Sequence, residues 1–349
     1  MRQEVHFHLQ TITPLFMAGA DQHNVEIRAP SFRGVMRYWL RAAAGGVMGT
    51  NADDLKNVSE VEKKVFGTTS EASALIVRAR CDFDASTAPI LSREGRSRED
   101  ITGRDYLMWS VIQGKRPYIP PQTPLQVSLA VRSQQKESQI ALQRAISSFW
   151  LCIHLGGIGT RSRRGAGSLS VISTQGNVGD FSFAVPTAIE ELPAYLSHGI
   201  RASSSLYSGN ESTAQRHPNF DVLRSGACSV WLISNNGRPW RDANTAFQAL
   251  GKGLRECRTA LELPDRKIFG IPVMGMKYPI SGAGSKLKRL ASPLHLSLLE
   301  LPTASRQYVG VATLFKTKWP DMSDQGYALY AQVEKLIAQN FSSAQKVEL

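Results

Sequence analysis

The chain has 349 residues, too many for one small domain, and its 42% hydrophobic and 20% charged content lets it bury enough apolar surface to fold, which excludes a disordered scaffold. Lysine and arginine number 41 against 29 acids, a formal charge of +12, and that excess favours an anionic partner such as nucleic acid or a lipid surface. No apolar run reaches the roughly 18 residues of a membrane span, and the alternating opening MRQEVHFHLQ lacks a signal peptide's apolar core, so a cytoplasmic protein without a membrane segment is expected.

Glu4 to Thr11 alternates, with Val5, Phe7 and Leu9 on one face and His6 and His8 on the other, and predicts a strand. Pro30-Ser31 opens a helix whose buried face is Phe32, Val35, Met36, Trp39 and Leu40, and Gly45-Gly46 is expected to close it. A short helix over Ser59 to Phe66, a turn at Gly67-Thr68-Thr69 and a strand from Ala74 to Phe83 follow. A polar loop around Ser92 to Arg104 precedes a strand near Leu125 to Arg132, then a helix from about Glu137 to Leu155 and a strand from Ser168 to Ser173. From Gly176 to about Gly226 the pattern fades, and the Ser, Gly and Asn density of residues 201–219 reads as a loop. Beyond it come a strand over Ser229 to Ser234, a helix over Ala243 to Leu261, strands over Leu294 to Leu301 and Tyr308 to Phe315, and a helix over Asp324 to Asn340. The expected architecture is α+β: two ferredoxin-like (RRM-like) domains with inserted hairpins and loops, at residues 1–175 and 226–349, joined by an irregular region over 176–225.

Charge is concentrated in three segments without an acid: Arg28, Arg33, Arg37 and Arg41; Arg161, Arg163 and Arg164; and Lys277, Lys286, Lys288 and Arg289. The second lies in the run from Gly156 to Ser168, which also holds Gly157, Gly159, Gly165 and Gly167. Glycine permits positive φ and close backbone approach, so amide N–H groups near Gly157 and Gly159 can converge on a phosphate while the arginines supply permanently charged, bidentate donors. A solvated turn would share that composition. A Walker A loop is disfavoured because these glycines follow a helix, lead into a strand and have no lysine after Gly165 or Gly167; a Rossmann fingerprint fails because Ser162 stands where its third glycine belongs. On the first helix Arg33, Arg37 and Arg41 recur every four residues and form one basic row that could track a phosphate backbone, although most such rows are ordinary solvated faces.

Signals for catalysis are thin. The seven histidines include no H-x-x-x-H pair, Cys81, Cys152, Cys228 and Cys257 form no C-x-x-C pair, and no metal or other cofactor is expected. Asp21 and His23 share a loop and could serve as acid or base near a bound RNA.

Thr11 to Ala20, Glu26 to Trp39, Val65-Phe66-Gly67-Thr68, the glycine-rich run and Arg289 to Leu294 together resemble the RAMP superfamily of CRISPR proteins, and within it the subunit-one family of Cmr-type (type III-B) effector complexes. Thr68 stands where that family usually has serine, and the middle of the chain matches it poorly. The resemblance implies two ferredoxin-like domains, CRISPR RNA and target RNA as ligands, other RAMP subunits as partners and a place near the 3′ part of the guide. The RNA-recognition consensus with its aromatic strand is absent, so backbone contact is expected in place of base stacking on a sheet. Of the basic groups, Arg28, Arg33, Arg37, Arg41, Arg161, Arg163, Arg164, Lys286, Lys288 and Arg289, with Gly157 and Gly159, are the candidate RNA contacts. Two other functions fit the same residues: an endoribonuclease using Asp21 or His23, and a basic assembly protein whose arginines meet protein carboxylates.

Overall fold

The computed structural model describes residues 3–21, 23–97, 100–208, 218–271, 290–318 and 325–349, the side chains of the last stretch from residue 328 onward. Its first half runs β1 (Glu4–Thr11), α1 (Ala29–Met48), α2 (Ala52–Phe66), β2 (Leu75–Arg80), α3 (Gly103–Gln113), β3 (Pro124–Val131), α4 (Lys136–Leu155) and β4 (Leu169–Gln175). After α5 (Leu192–Ser205) the second half runs β5 (Cys228–Ile233), α6 (Ala243–Thr259), β6 (Leu294–Leu301), β7 (Gln307–Phe315), α7 (Gln325–Asn340) and β8 (Ala344–Val347).

Each half forms a four-stranded antiparallel sheet, ordered β2-β3-β1-β4 and β6-β7-β5-β8. In both, the strand that opens the half sits inside and pairs with the half's third and fourth strands, which is the ferredoxin-like arrangement. The alternation of β1 has its expected effect: Val5, Phe7 and Leu9 are buried, and Phe7 meets Phe149 of α4 at 4.7 Å between ring centroids. The outer face of the first sheet stays open, with His6, Arg78, Arg80 and Gln126 exposed.

The second sheet has no open face. Val230 and Leu232 of β5 join the first core, while Trp231 and Ile233, on the opposite face, join the second beneath α6 and α7. Conversely, Leu107, Met108, Val111 and Ile112 of α3 bury themselves in the second core. The halves therefore interlock across shared apolar surface.

Several elements depart from their expected bounds. Helix α1 does not close at Gly45-Gly46 but continues to Met48, because those glycines serve packing: a Cβ on Gly45 would lie 2.5 Å from Phe220, and one on Gly46 would lie 2.3 Å from the Leu223 carbonyl. The Leu223 N–H donates to Ala42 O at 2.8 Å, so residues 220–223 lie directly on the helix. Helix α2 starts well before Ser59, since Asn51 accepts from the Asp53 and Asp54 N–H groups while Asp54 accepts from the Asn51 N–H, a capping box. Helix α3 follows the polar loop unannounced, capped by Thr102, and the buried Asp105 carboxylate organises that loop by accepting from the N–H groups of Glu94 and Gly95. Helix α5 occupies part of the region expected to be irregular and packs on α4, where a Cβ on Gly199 would lie 2.2 Å from Trp150. Strand β2 is shorter than Ala74 to Phe83, and β8 is an addition. Among the described residues no helix is long and apolar enough to cross a membrane.

Candidate nucleic-acid interface

The glycine-rich run leaves α4 and folds onto residues 13–16. Ile158 N–H donates to Gly167 O at 3.0 Å, Thr160 N–H to Phe16 O at 2.8 Å and Gly167 N–H to Pro14 O at 3.0 Å. Thr13 Oγ1 donates to Gly165 O at 2.7 Å and accepts from the Ser168 N–H at 3.0 Å. The space that Cβ atoms would need is filled by the chain itself: a Cβ on Gly157 would lie 2.9 Å from Ala166 O, and one on Gly159, at φ +86°, would lie 2.5 Å from Phe16 O. Gly167, at φ +65°, abuts Ile158 O in the same way, so these glycines make a rigid, tightly closed loop.

That closure aims three arginines from the turn over Ser162–Arg164 and its flank at three different segments. Arg161, itself in the left-handed region at φ +66°, donates through Nε at 2.8 Å and through Nη2 to Leu107 O of α3. Arg163 Nη1 donates to Ser292 O at 2.5 Å, lies 3.6 Å from Asp221 Oδ2, and its guanidinium sits 5.1 Å from the Tyr38 ring centroid. Arg164 Nη2 donates to Phe269 O at 3.0 Å, while its buried Nη1 has no partner among the described residues.

With Arg258 of α6 these side chains line a cleft of about 360 Å³, walled also by Phe269, Gly270, Ile271 and residues 290–292. Among the described residues no aspartate or glutamate lines it. Burial, followed by the charges of Arg161 and Arg258, pushes the Arg164 guanidinium down to about 9, and burial pushes Arg161 down to about 10. Both remain cationic at neutral pH. Such a cleft can attract an anion, because an incoming negative charge offsets the repulsion among the guanidiniums.

The row on α1 is placed differently. Arg37 donates to Phe66 O at 3.0 Å and Gly67 O at 2.8 Å, pairs with Glu62 at 3.2 Å, and its guanidinium sits 5.5 Å from the Phe66 ring centroid. It thereby holds the C-terminal end of α2, where a cation also meets the helix dipole favourably. Arg41 pairs with the same Glu62 at 3.5 Å, Arg33 donates to Leu75 O at 3.2 Å, and Arg28 lies 3.9 Å from Glu26. A row without acids in the sequence thus acquires Glu62 from a neighbouring helix. Lys277, Lys286, Lys288 and Arg289 lie outside the described residues; at the cleft itself Ile271 and Leu290 bridge antiparallel.

Asp21 accepts from the His23 and Asn24 N–H groups at 3.1 and 3.2 Å and from Asn24 Nδ2 at 2.6 Å, which lowers its pKa below the usual carboxylate value. Both Asp21 and His23 are exposed, and Asp21 is occupied with its own turn. Among the described residues no group of three or more metal-ligating side chains occurs.

Sequence reasoning missed Arg258, which nothing in its local spacing distinguishes from other charges on α6. It also missed the cluster behind Arg163. Tyr38 OH donates to Asp221 Oδ2 at 2.8 Å and lies 3.1 Å from Nε2 of buried His295, and Thr317 Oγ1 donates to Asp221 Oδ1 at 2.5 Å. Burial, with Arg163 and Arg164 nearby, holds His295 well below its ordinary pKa and hence neutral.

A family model described as the RAMP superfamily matches residues 8–170. The CRISPR system Cmr subunit Cmr1-2 of Pyrococcus furiosus is 38% identical over 182 residues, which span 48% of this chain and 95% of that relative. Cmr1-1 of the same organism is 26% identical over 287 residues, covering 79% of this chain and 77% of its own length. Among solved structures, the apo crystal structure of Cmr1 from Pyrococcus furiosus superposes with a TM-score of 0.65 at 21% identity over 99% of this chain and 98% of that one. A chain of a type III-B Cmr-beta complex bound to cognate target RNA gives 0.62 at 12% identity, covering 97% of this chain and all of its own.

Proposed function

Because the chain belongs to the RAMP superfamily, in its Cmr subunit 1 family, we propose that it is a non-catalytic, RNA-binding subunit of a type III-B CRISPR effector acting in antiviral defence. It grips guide or target RNA, or both, by backbone phosphates near the guide 3′ end, beside other RAMP subunits in the cytoplasm. The observation that carries this reading is the cleft lined by Arg161, Arg163, Arg164 and Arg258 with no carboxylate among its described walls. Lys286, Lys288 and Arg289, which lie outside the described residues, and Arg28, Arg33 and Arg41 on α1 are further candidate contacts. Phosphate contacts carry no base information, which suits a complex whose guide sequence varies. A relative's assembly bound to target RNA supports the choice of ligand.

Purified protein is expected to bind unrelated single-stranded RNAs with similar affinity, log K falling with log[salt] by about 0.7 per phosphate neutralised. A flat salt response would remove the phosphate reading. Time courses on labelled RNA with magnesium, manganese or EDTA should show no cleavage. Metal-dependent cutting that Asp21→Ala abolishes would make the protein an endoribonuclease.

A further inference from the structure

We propose that the four-arginine cleft takes the terminal phosphomonoester of an RNA in preference to an internal phosphodiester. The inference rests on the RNA-binding reading above and specifies which phosphate the cleft prefers.

Four arginines from two separate parts of the chain, the loop at 161–164 and helix α6, line one cavity that, among the described residues, no carboxylate lines. A counter-charge close by, Asp221, stands behind Arg163 at 3.6 Å and is already bonded to Tyr38 and Thr317. A diester brings one negative charge and has two of its four oxygens esterified. A monoester brings about −1.5 to −2 at neutral pH and three free acceptor oxygens, so it satisfies more of this donor set.

Arg164 makes the site specific. Its Nη2 is fixed on Phe269 O, so the guanidinium is already oriented, and its buried Nη1 keeps a hydrogen with no acceptor among the described residues. That Nη1 atom is sealed from solvent, so Arg164 acts on a bound phosphate through its fixed orientation and its charge, which an incoming anion offsets. The cavity's volume, about 360 Å³, exceeds a phosphate group and leaves room for the attached sugar against Phe269, Ile271 and Leu290. The downward pKa displacement of Arg161 and Arg164 by burial and neighbouring cations agrees with a cleft that lacks its anion.

The test is competition against a labelled single-stranded RNA by unlabelled oligonucleotides of one sequence ending in hydroxyls only, in a 3′-phosphate or in a 5′-phosphate, with inorganic phosphate as a further competitor. At least one phosphorylated end should compete about tenfold better than the hydroxyl form, the factor of one charged hydrogen bond, and the preferred end identifies the RNA terminus. Arg164→Gln should abolish the preference. Arg258→Gln, on the half-buried helix face, should reduce it and serves if the first variant does not fold. Equal competition by all three oligonucleotides, or a preference intact in the variants, would overturn this inference while leaving RNA binding standing. If no competitor displaces the probe and the wild type does not bind it, the RNA-binding reading itself falls.

Discussion

Two groups of arginines look alike in the sequence and differ in what surrounds them. On α1, Arg37 and Arg41 share Glu62 of α2, and Arg37 also fastens two carbonyls at that helix's end. In the glycine loop, Arg161, Arg163 and Arg164 each reach a carbonyl of a different segment, and together with Arg258 they border a cleft that no acid lines among the described residues. Both groups brace the fold. What separates them is the charge that other elements bring: Glu62 meets two arginines of the α1 row, whereas the described neighbours of the loop supply carbonyls, one more arginine and one carboxylate, Asp221, which stands behind Arg163. Neutral partners orient a guanidinium without cancelling its charge, so the loop keeps its pull on an anion.

Breaking the loop should have the largest effect. Gly167→Val places a branched side chain at φ +65° with the Ile158 carbonyl in its path, and a loss of about 3 kcal/mol or more in urea unfolding is expected, together with loss of RNA binding. Next comes Arg37→Ala, which removes an ion pair and two charged hydrogen bonds from the end of α2. We expect about 2 kcal/mol of destabilisation with RNA affinity changed less than about threefold at temperatures where the variant is folded. An equal or larger loss of RNA affinity than of stability would erase the distinction between the two groups. Arg163→Gln should weigh the other way, lowering RNA affinity about tenfold and the magnitude of the salt slope by about 0.7, while loss of its bonds to Ser292 and Asp221 costs about 1–2 kcal/mol of stability. The smallest change is expected for Arg41→Ala: its side chain is 49% exposed, and an ion pair of that kind contributes less than about 0.5 kcal/mol to stability.

Legibility in the sequence followed exposure. Where one face of an element is polar and the other apolar, as in β1 or the Phe32-Met36-Trp39-Leu40 face of α1, periodicity located it. Helix α3 escaped because it is covered on several sides by α6 and its own loop, so no clean stripe survives in its composition, whereas α5 keeps the stripe Leu192, Leu196, Gly199 and Ile200 and was masked by the glycine and serine around it. The start of α2 was legible in principle, since Asn51 and Asp54 have capping-box spacing. Gly45-Gly46 misled because local propensity treats glycine as a breaker, while tertiary contact with residues 220–223 made it a packing requirement.

By itself the sequence determined the strand and helix periods that build the two sheets, the family through its motifs, and the segments that hold the excess positive charge. Only the tertiary structure decided which of those charges stay uncompensated. Glu62 meets the α1 row from another helix, Arg258 joins the loop from α6 across 94 positions of chain from Arg164, and Phe269 and Ser292 turn carbonyls, not carboxylates, toward the cleft. Coulomb attraction and hydrogen bonding act over a few ångströms in space, and separation along the chain does not encode that distance.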